Sequence, residues 1–180
     1  GISALLLCLV AGLIQACAAC SATRSDATWT DPITGMTFVR IQPGAFVMGS
    51  PLAEPFRETQ ETAHGARSER AFWLATHEVT QRQWLQIMGT NPSHFGSDAE
   101  RPVESVNWHE VQEFLERLNA GRPDGQFRLP TEAEWEYACR AGTASAFHTG
   151  AALDPRDANV AADIEESMAG RGSAQPVGSF

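Results

Sequence analysis

The stretch Phe127 to Gly142, FRLPTEAEWEYACRAG, constrains the fold more than any other part of the chain. Phe127-Arg128-Leu129 alternates apolar, charged and apolar, the pattern of a half-buried strand. Pro130 ends it and biases Leu129 toward extended backbone. Thr131 lies three residues before Glu134, which is the spacing of a capping box. The Thr131 hydroxyl can accept from the Glu134 amide while the Glu134 carboxylate reaches back to the Thr131 amide. A helix is therefore expected to start at once. Glu132, Glu134 and Glu136 put negative charge where the helix dipole favours it. Residues two apart point away from each other on a helix, so these carboxylates read as capping and dipole residues rather than an acid/base pair. Trp135, Ala138 and Cys139 fall at i, i+3 and i+4 and predict one buried apolar face. Arg140 lies in the last turn, and Gly142 is placed to cap the C-terminus.

The rest of the chain repeats this grammar. Met36 to Ile41 and Ala45 to Met48 read as strands around a Pro43-Gly44 turn, which suggests a hairpin. Pro51 to Arg70 is polar and aperiodic, a loop of about twenty residues that either lines a binding surface or is simply solvated. Ala71 to Thr76 is another strand. Thr80 and Gln83 carry the capping-box spacing ahead of a helix from Gln81 to Met88, ended by Gly89. Pro102 to Val106 reads as a short strand. Asn107 and Glu110 cap a helix from Trp108 to Asn119, whose Val111, Phe114, Leu115 and Leu118 form one face, with Gly121 ending it. From Thr143 onward the pattern is irregular.

At 180 residues the chain can bury a real core, and 43% apolar with 19% charged residues fits a globular class. A net charge of −9, without a Lys/Arg-rich run, argues against nucleic acid as a partner and against electrostatic docking on anionic lipid.

Ile2 to Ala16 is almost wholly apolar, short for a membrane span and the right length for the core of a secretion signal. Leu13-Ile14-Gln15-Ala16-Cys17 looks like a bacterial lipobox, with Cys17 as the lipidated residue and Cys20 as the alternative. A plain signal cut near Ala16-Cys17-Ala18 and an uncleaved anchor are the other readings. All three place the domain outside the cytoplasm. Residues 1–20 are thus read as a signal with a lipobox, 21–33 as a polar tether and 34–180 as one domain, attached to a membrane without spanning it.

Cys139 is the one cysteine within the expected domain, and on an apolar helix face it reads as core or as half of a pair rather than as a nucleophile. His64, His77, His94, His109 and His148 show no H-x-x-x-H or H-E-x-x-H spacing, which argues against a zinc or iron triad from this chain alone.

Arg128 to Thr143, RLPTEAEWEYACRAGT, closely resembles the signature of the formylglycine-generating enzyme family, also called the sulfatase-modifying factor family. Phe46-Val47-Met48-Gly49-Ser50, Glu78-Val79-Thr80, the Pro102 to Val111 run, Ala158-Asn159-Val160 and the closing Pro176 to Phe180 resemble it too. Phe147-His148-Thr149-Gly150 keeps the Phe and Gly of the family's aromatic-Pro-Trp-Gly turn and lacks its Pro and Trp. The resemblance implies an α+β, elaborated C-type-lectin-like fold, with Trp135 buried as a clamp between its layers. It implies O₂-dependent oxidation of a cysteine in a substrate protein or peptide to formylglycine, at copper held by two cysteines that lie beyond Phe180. It implies a disulfide from the Cys139 position into that same region. It also implies a structural calcium taking the Asn159 side-chain oxygen and the Val160 carbonyl, with Asp163, Glu165 or Glu166 supplying a missing acid. Two alternatives stay open: a non-catalytic surface-recognition or complex-forming lipoprotein module, and a component like the non-haem iron sulfoxide synthases, which draw ligands from an added helical domain.

Overall fold

Each helix begins on a polar side chain that its sequence marked. In α1 (Gln81–Met88) the Gln83 amide donates to Thr80 Oγ1 at 3.2 Å and the Thr80 amide to Gln83 Oε1 at 2.9 Å. In α2 (Trp108–Asn119) the Glu110 amide donates to Asn107 Oδ1 at 3.2 Å and the Asn107 amide to Glu110 Oε2 at 2.7 Å. In α3 (Glu132–Arg140) the same exchange joins Thr131 and Glu134, at 3.2 and 2.8 Å. Such a cap is worth about 1 kcal/mol. Gly89, with φ of 78°, closes α1 as expected. The second helix ends at Asn119 as expected, with Ala120 as its cap and Gly121 at φ of 74° just beyond, while the third is capped by Ala141, one residue before Gly142.

The computed structural model describes residues 10–13, 27–54, 57–123, 125–147, 150, 158–159 and 174–179. The chain forms two compact units, one of Gly1–Arg40, Phe72–Leu129 and Ser173–Ser179, the other of Ile41–Ala71, Pro130–Gly172 and Phe180. Short strands and short helices occur in both, a mixed α/β composition.

The first unit carries a five-stranded sheet in the order β2 (Thr28–Thr30), β3 (Thr37–Ile41), β6 (Phe72–Ala75), β1 (Val10–Leu13), β7 (Gly125–Arg128). Val111, Phe114, Leu115 and Leu118 of α2 are buried as their spacing required, together with Met36, Phe38, Val79, Trp84 and Phe127. The Trp84 and Phe114 rings stack with centroids 4.8 Å apart and planes 1° from parallel. The rings of Trp29, Phe38 and Phe127 pack against one another, and the Arg122 guanidinium lies 4.8 Å from the Phe127 centroid. Arg122 also grips the fully buried Asp31 with both ends of its fork, at 2.6 and 3.0 Å, and Thr34 donates to the same carboxylate from its amide and its hydroxyl. In the second unit β4 (Gly44–Met48) pairs antiparallel with β5 (His64–Ser68), and α3 packs on this two-stranded ladder.

Several expectations are corrected. The hairpin around Pro43-Gly44 does not form: β3 pairs with β2, while β4 pairs with β5 in a different sheet. The expected loop from Pro51 to Arg70 contains β5, whose HGARS sequence has none of the β-branched enrichment that marks a strand. Pro102 makes only an isolated bridge to Thr80 instead of opening a strand. The polar tether to residue 33 overlaps the fold, since Thr28–Thr30 is β2 and Asp31 is buried.

Val10–Leu13, inside the apolar run read as a leader, forms the strand between β6 and β7, with Val10 opposite both Leu74 and Arg128. A protein cleaved ahead of Cys17 loses that strand and leaves an open edge on β6 and on β7. Cys8, Cys17 and Cys20 lie outside the described residues.

Candidate functional site

Polar contacts in the second unit concentrate where β4 runs out into Gly49. Gly49 has φ of 87°, a region that disfavours any residue with a Cβ. Its amide donates to Glu136 Oε1 at 2.8 Å, and its carbonyl accepts from Arg140 Nη2 at 2.8 Å. Arg140 Nε donates to the same Glu136 oxygen at 2.8 Å. Both backbone groups of one residue are thus satisfied by two side chains one turn apart on α3. The next residue continues the anchorage: the Ser50 amide donates to the Glu61 carbonyl at 2.8 Å. Charge-assisted bonds of this kind are worth about 1.5–3 kcal/mol each when shielded from water. Four-residue spacing with Glu on the N-terminal side is the favourable order on a helix.

The inward face of α3 is therefore Ala133, Glu136, Tyr137 and Arg140, spaced i, i+3, i+4 and i+7, none of them fully exposed. Tyr137 packs against Phe46 of β4 with ring centroids 5.2 Å apart and planes tilted by 48°. It also lies so close to Gly44 that a Cβ built there would sit 2.1 Å from the Tyr137 hydroxyl oxygen. This corrects the expected apolar face. Trp135 is 38% exposed and Cys139 is exposed, with no buried residue anywhere on α3, so Trp135 is not a clamp between layers. Glu136, read as a dipole residue, is instead the acceptor for Gly49. The signal that could have found it was the Glu136/Arg140 spacing.

Gly49→Ala is expected to lower stability by about 2–3 kcal/mol, from left-handed backbone and overpacking together. A Cβ there would lie 2.8 Å from the Thr62 carbonyl oxygen and 2.9 Å from that of Glu61, backbone atoms that cannot rotate aside. Urea unfolding of the variant beside the parent protein checks this.

Thr131 and Glu134 sit where the sequence placed them and cap α3. Asn159 is exposed and Val160 lies outside the described residues, as do Asp163, Glu165 and Glu166. Phe147 and Gly150 exchange backbone hydrogen bonds at 3.0 Å in each direction, while His148 and Thr149 lie outside the described residues. Among the described residues no three His, Cys, Asp or Glu side chains gather as metal ligands, and no helix is long and apolar enough to cross a membrane.

A family model described as the sulfatase-modifying factor enzyme 1-like domain matches residues 25–180. The chain belongs to that family. A protein named chaperone protein LppX from Paenibacillus barcinonensis is 30% identical over 175 residues, covering 78% of this chain and 55% of that protein. The formylglycine-generating enzymes of Bos taurus and Mus musculus are each 37% identical over 81 residues, covering 41% of this chain and 20% of the enzyme. The sulfatase-modifying-factor chain thus spans about half the length of the first of these relatives. Among solved structures, PvdO from Pseudomonas aeruginosa superposes with a TM-score of 0.66 at 23% identity, over 88% of this chain and 68% of that one. Treponema denticola variable protein 1 superposes with a TM-score of 0.52 at 25% identity, over 69% and 60%. The clasp on Gly49 is then what the family-like stretch Arg128–Thr143 does locally: it holds a backbone.

Proposed function

We propose that this chain supplies scaffold to an extracytoplasmic formylglycine-generating-enzyme-like protein, on an elaborated C-type-lectin-like architecture. In this reading the longer protein uses O₂ to oxidise a cysteine of a substrate protein or peptide to formylglycine. The observation that carries it is the family match over residues 25–180. The copper of that chemistry needs a pair of soft thiolates. Among the described residues there is one thiol, Cys139, exposed and without a disulfide, so these residues do not fit a copper site. The copper ligands of the proposal belong to the longer protein. Cys17, or Cys20 in its place, carries the lipid that anchors the protein to a membrane surface, and Asn159 with Val160 contributes to a structural calcium site.

The test uses the full-length protein freed of its leader and loaded with Cu(I). It is incubated in air with a cysteine-containing peptide, and the aldehyde is trapped with a hydrazide probe. The proposal expects aldehyde that depends on copper and oxygen. A second reading, a non-catalytic recognition module, has one observation in its favour. The relative that aligns over 78% of the chain is named a chaperone, while the named enzymes align over 41%. Copper-loaded protein that yields no aldehyde but suppresses aggregation of a partner protein would support that reading instead.

A further inference from the structure

A cleft of about 150 Å³ lies within the first unit, where β6 hands over to α1. Its walls include Met36, Thr76, His77, Glu78, the Arg82–Glu100 pair and Val177. The positive charge at its rim is already committed, because Arg82 Nε donates to Glu100 Oε1 at 2.6 Å. The first-turn amides of α1 are committed as well. Gln81 N donates to the Arg101 carbonyl, Arg82 N to the Ala99 carbonyl and Gln83 N to Thr80 Oγ1, so this helix start offers nothing to an anion. His77 Nδ1 lies 3.0 Å from Thr76 Oγ1, which itself donates to the Thr37 carbonyl.

Glu78 is what remains. Its side chain is half-buried and has no hydrogen-bond or ionic partner among the described residues. A carboxylate withdrawn from water without compensation is unfavourable, and a cation is the group that relieves it. A metal ion is a poor candidate, since a single free carboxylate does not make a hard-cation shell. The space suits a compact organic head, because one water takes about 30 Å³ and a four-carbon ammonium chain is only a few times larger.

We propose that this cleft binds a primary alkylammonium group, the chemistry shared by a lysine side chain and a free alkylamine, with Glu78 as its anionic partner. The other titratable and charged groups lining the cleft are His77, Arg82 and Glu100. Burial pushes the Glu78 carboxyl above the ordinary carboxylate range. A bound cation favours the charged form and draws it back down, so binding is strongest above that raised value and fades as pH falls through it.

The probe is n-butylammonium, followed by NMR on the whole chain, with n-butanol as the uncharged control and a lysine-containing peptide to distinguish side chain from free amine. The expected result is saturable binding by the amine and not the alcohol, a fall in the Glu78 carboxyl titration midpoint when amine is present, and about tenfold or greater weakening in Glu78→Gln. Equal binding to Glu78→Gln, equal binding of the alcohol, or a Glu78 midpoint that does not move would overturn the proposal. The midpoint measurement on the parent protein decides the matter even where the variant does not fold. Peptide binding with no response to the free amine would also overturn it, since the pocket would then be reading more than the ammonium head.

Discussion

Arg122→Leu is expected to destabilise the first unit by about 3–5 kcal/mol at neutral pH, the range for removing one partner from a buried ion pair. Asp31 is fully buried, and its carboxylate is left with Thr34 alone when the guanidinium goes. The pH dependence gives this expectation a second signature. Burial by itself raises the Asp31 carboxyl. The Arg122 hydrogen bonds, those from Thr34 and the guanidinium charge together outweigh it, so the group lies below its ordinary value. A depressed carboxyl contributes stability that is fully present above its unfolded value, about 3.9, and is lost as pH falls through the lower folded value. In Arg122→Leu the charge is gone while the burial remains, and the carboxyl is expected to rise. Protonation then relieves the variant, and its deficit shrinks on acidification. Urea midpoints for both proteins at neutral pH and near pH 4 check this. A deficit unchanged across that range would mean that the Asp31 charge is not what the substitution exposed.

Trp84→Ala is the other large expectation, a loss of about 3–5 kcal/mol. Trp84 is 2% exposed and lies flat on Phe114, so truncation opens a cavity at the meeting of α1 and α2, and a ring stack worth about 1 kcal/mol goes with it. Trp84→Phe keeps an aromatic face on Phe114 and should recover more than half of the loss. Thermal unfolding of the two variants separates these outcomes: equal losses in both would place the energy in the indole nitrogen rather than in packing.

How far the sequence reached depends on the range of the interaction. All three capping boxes were readable, because donor and acceptor sit three residues apart and no distant strand can change that. The inward face of α2 was readable as well, since its four apolar residues leave one orientation. The two sheets were not readable. Around Pro43-Gly44 the local pattern satisfies a hairpin equally well, and what sends β3 to β2 and β4 to β5 is pairing with residues distant in the chain. Thr28–Thr30 looks like a tether because Trp29 is its single apolar residue, too little to mark a strand. It joins the fold through the β3 ladder, with Trp29 against Phe38 and the buried Asp31 immediately after it.

Helix α3 is the sharpest case. Two faces of it share the i, i+3, i+4 spacing, one through Trp135, Ala138 and Cys139, the other through Ala133, Glu136 and Tyr137. Hydrophobicity alone selects the first. The second packs, because Glu136 and Arg140 meet their charge on each other and on both backbone groups of Gly49. A salt-bridged pair is read as a solvated face by any argument that counts only apolar residues, and here it is the anchoring one.

The central claim is that α3 clasps Gly49 through Glu136. Amide hydrogen exchange at Gly49, compared between the parent protein and Glu136→Ala, tests it most directly. The loss of about 1.4 kcal/mol or more at that bond corresponds to at least tenfold faster exchange at Gly49, with the Phe38 amide in the other unit unchanged. Exchange at Gly49 that is equally fast, or equally slow, in both proteins would contradict the clasp.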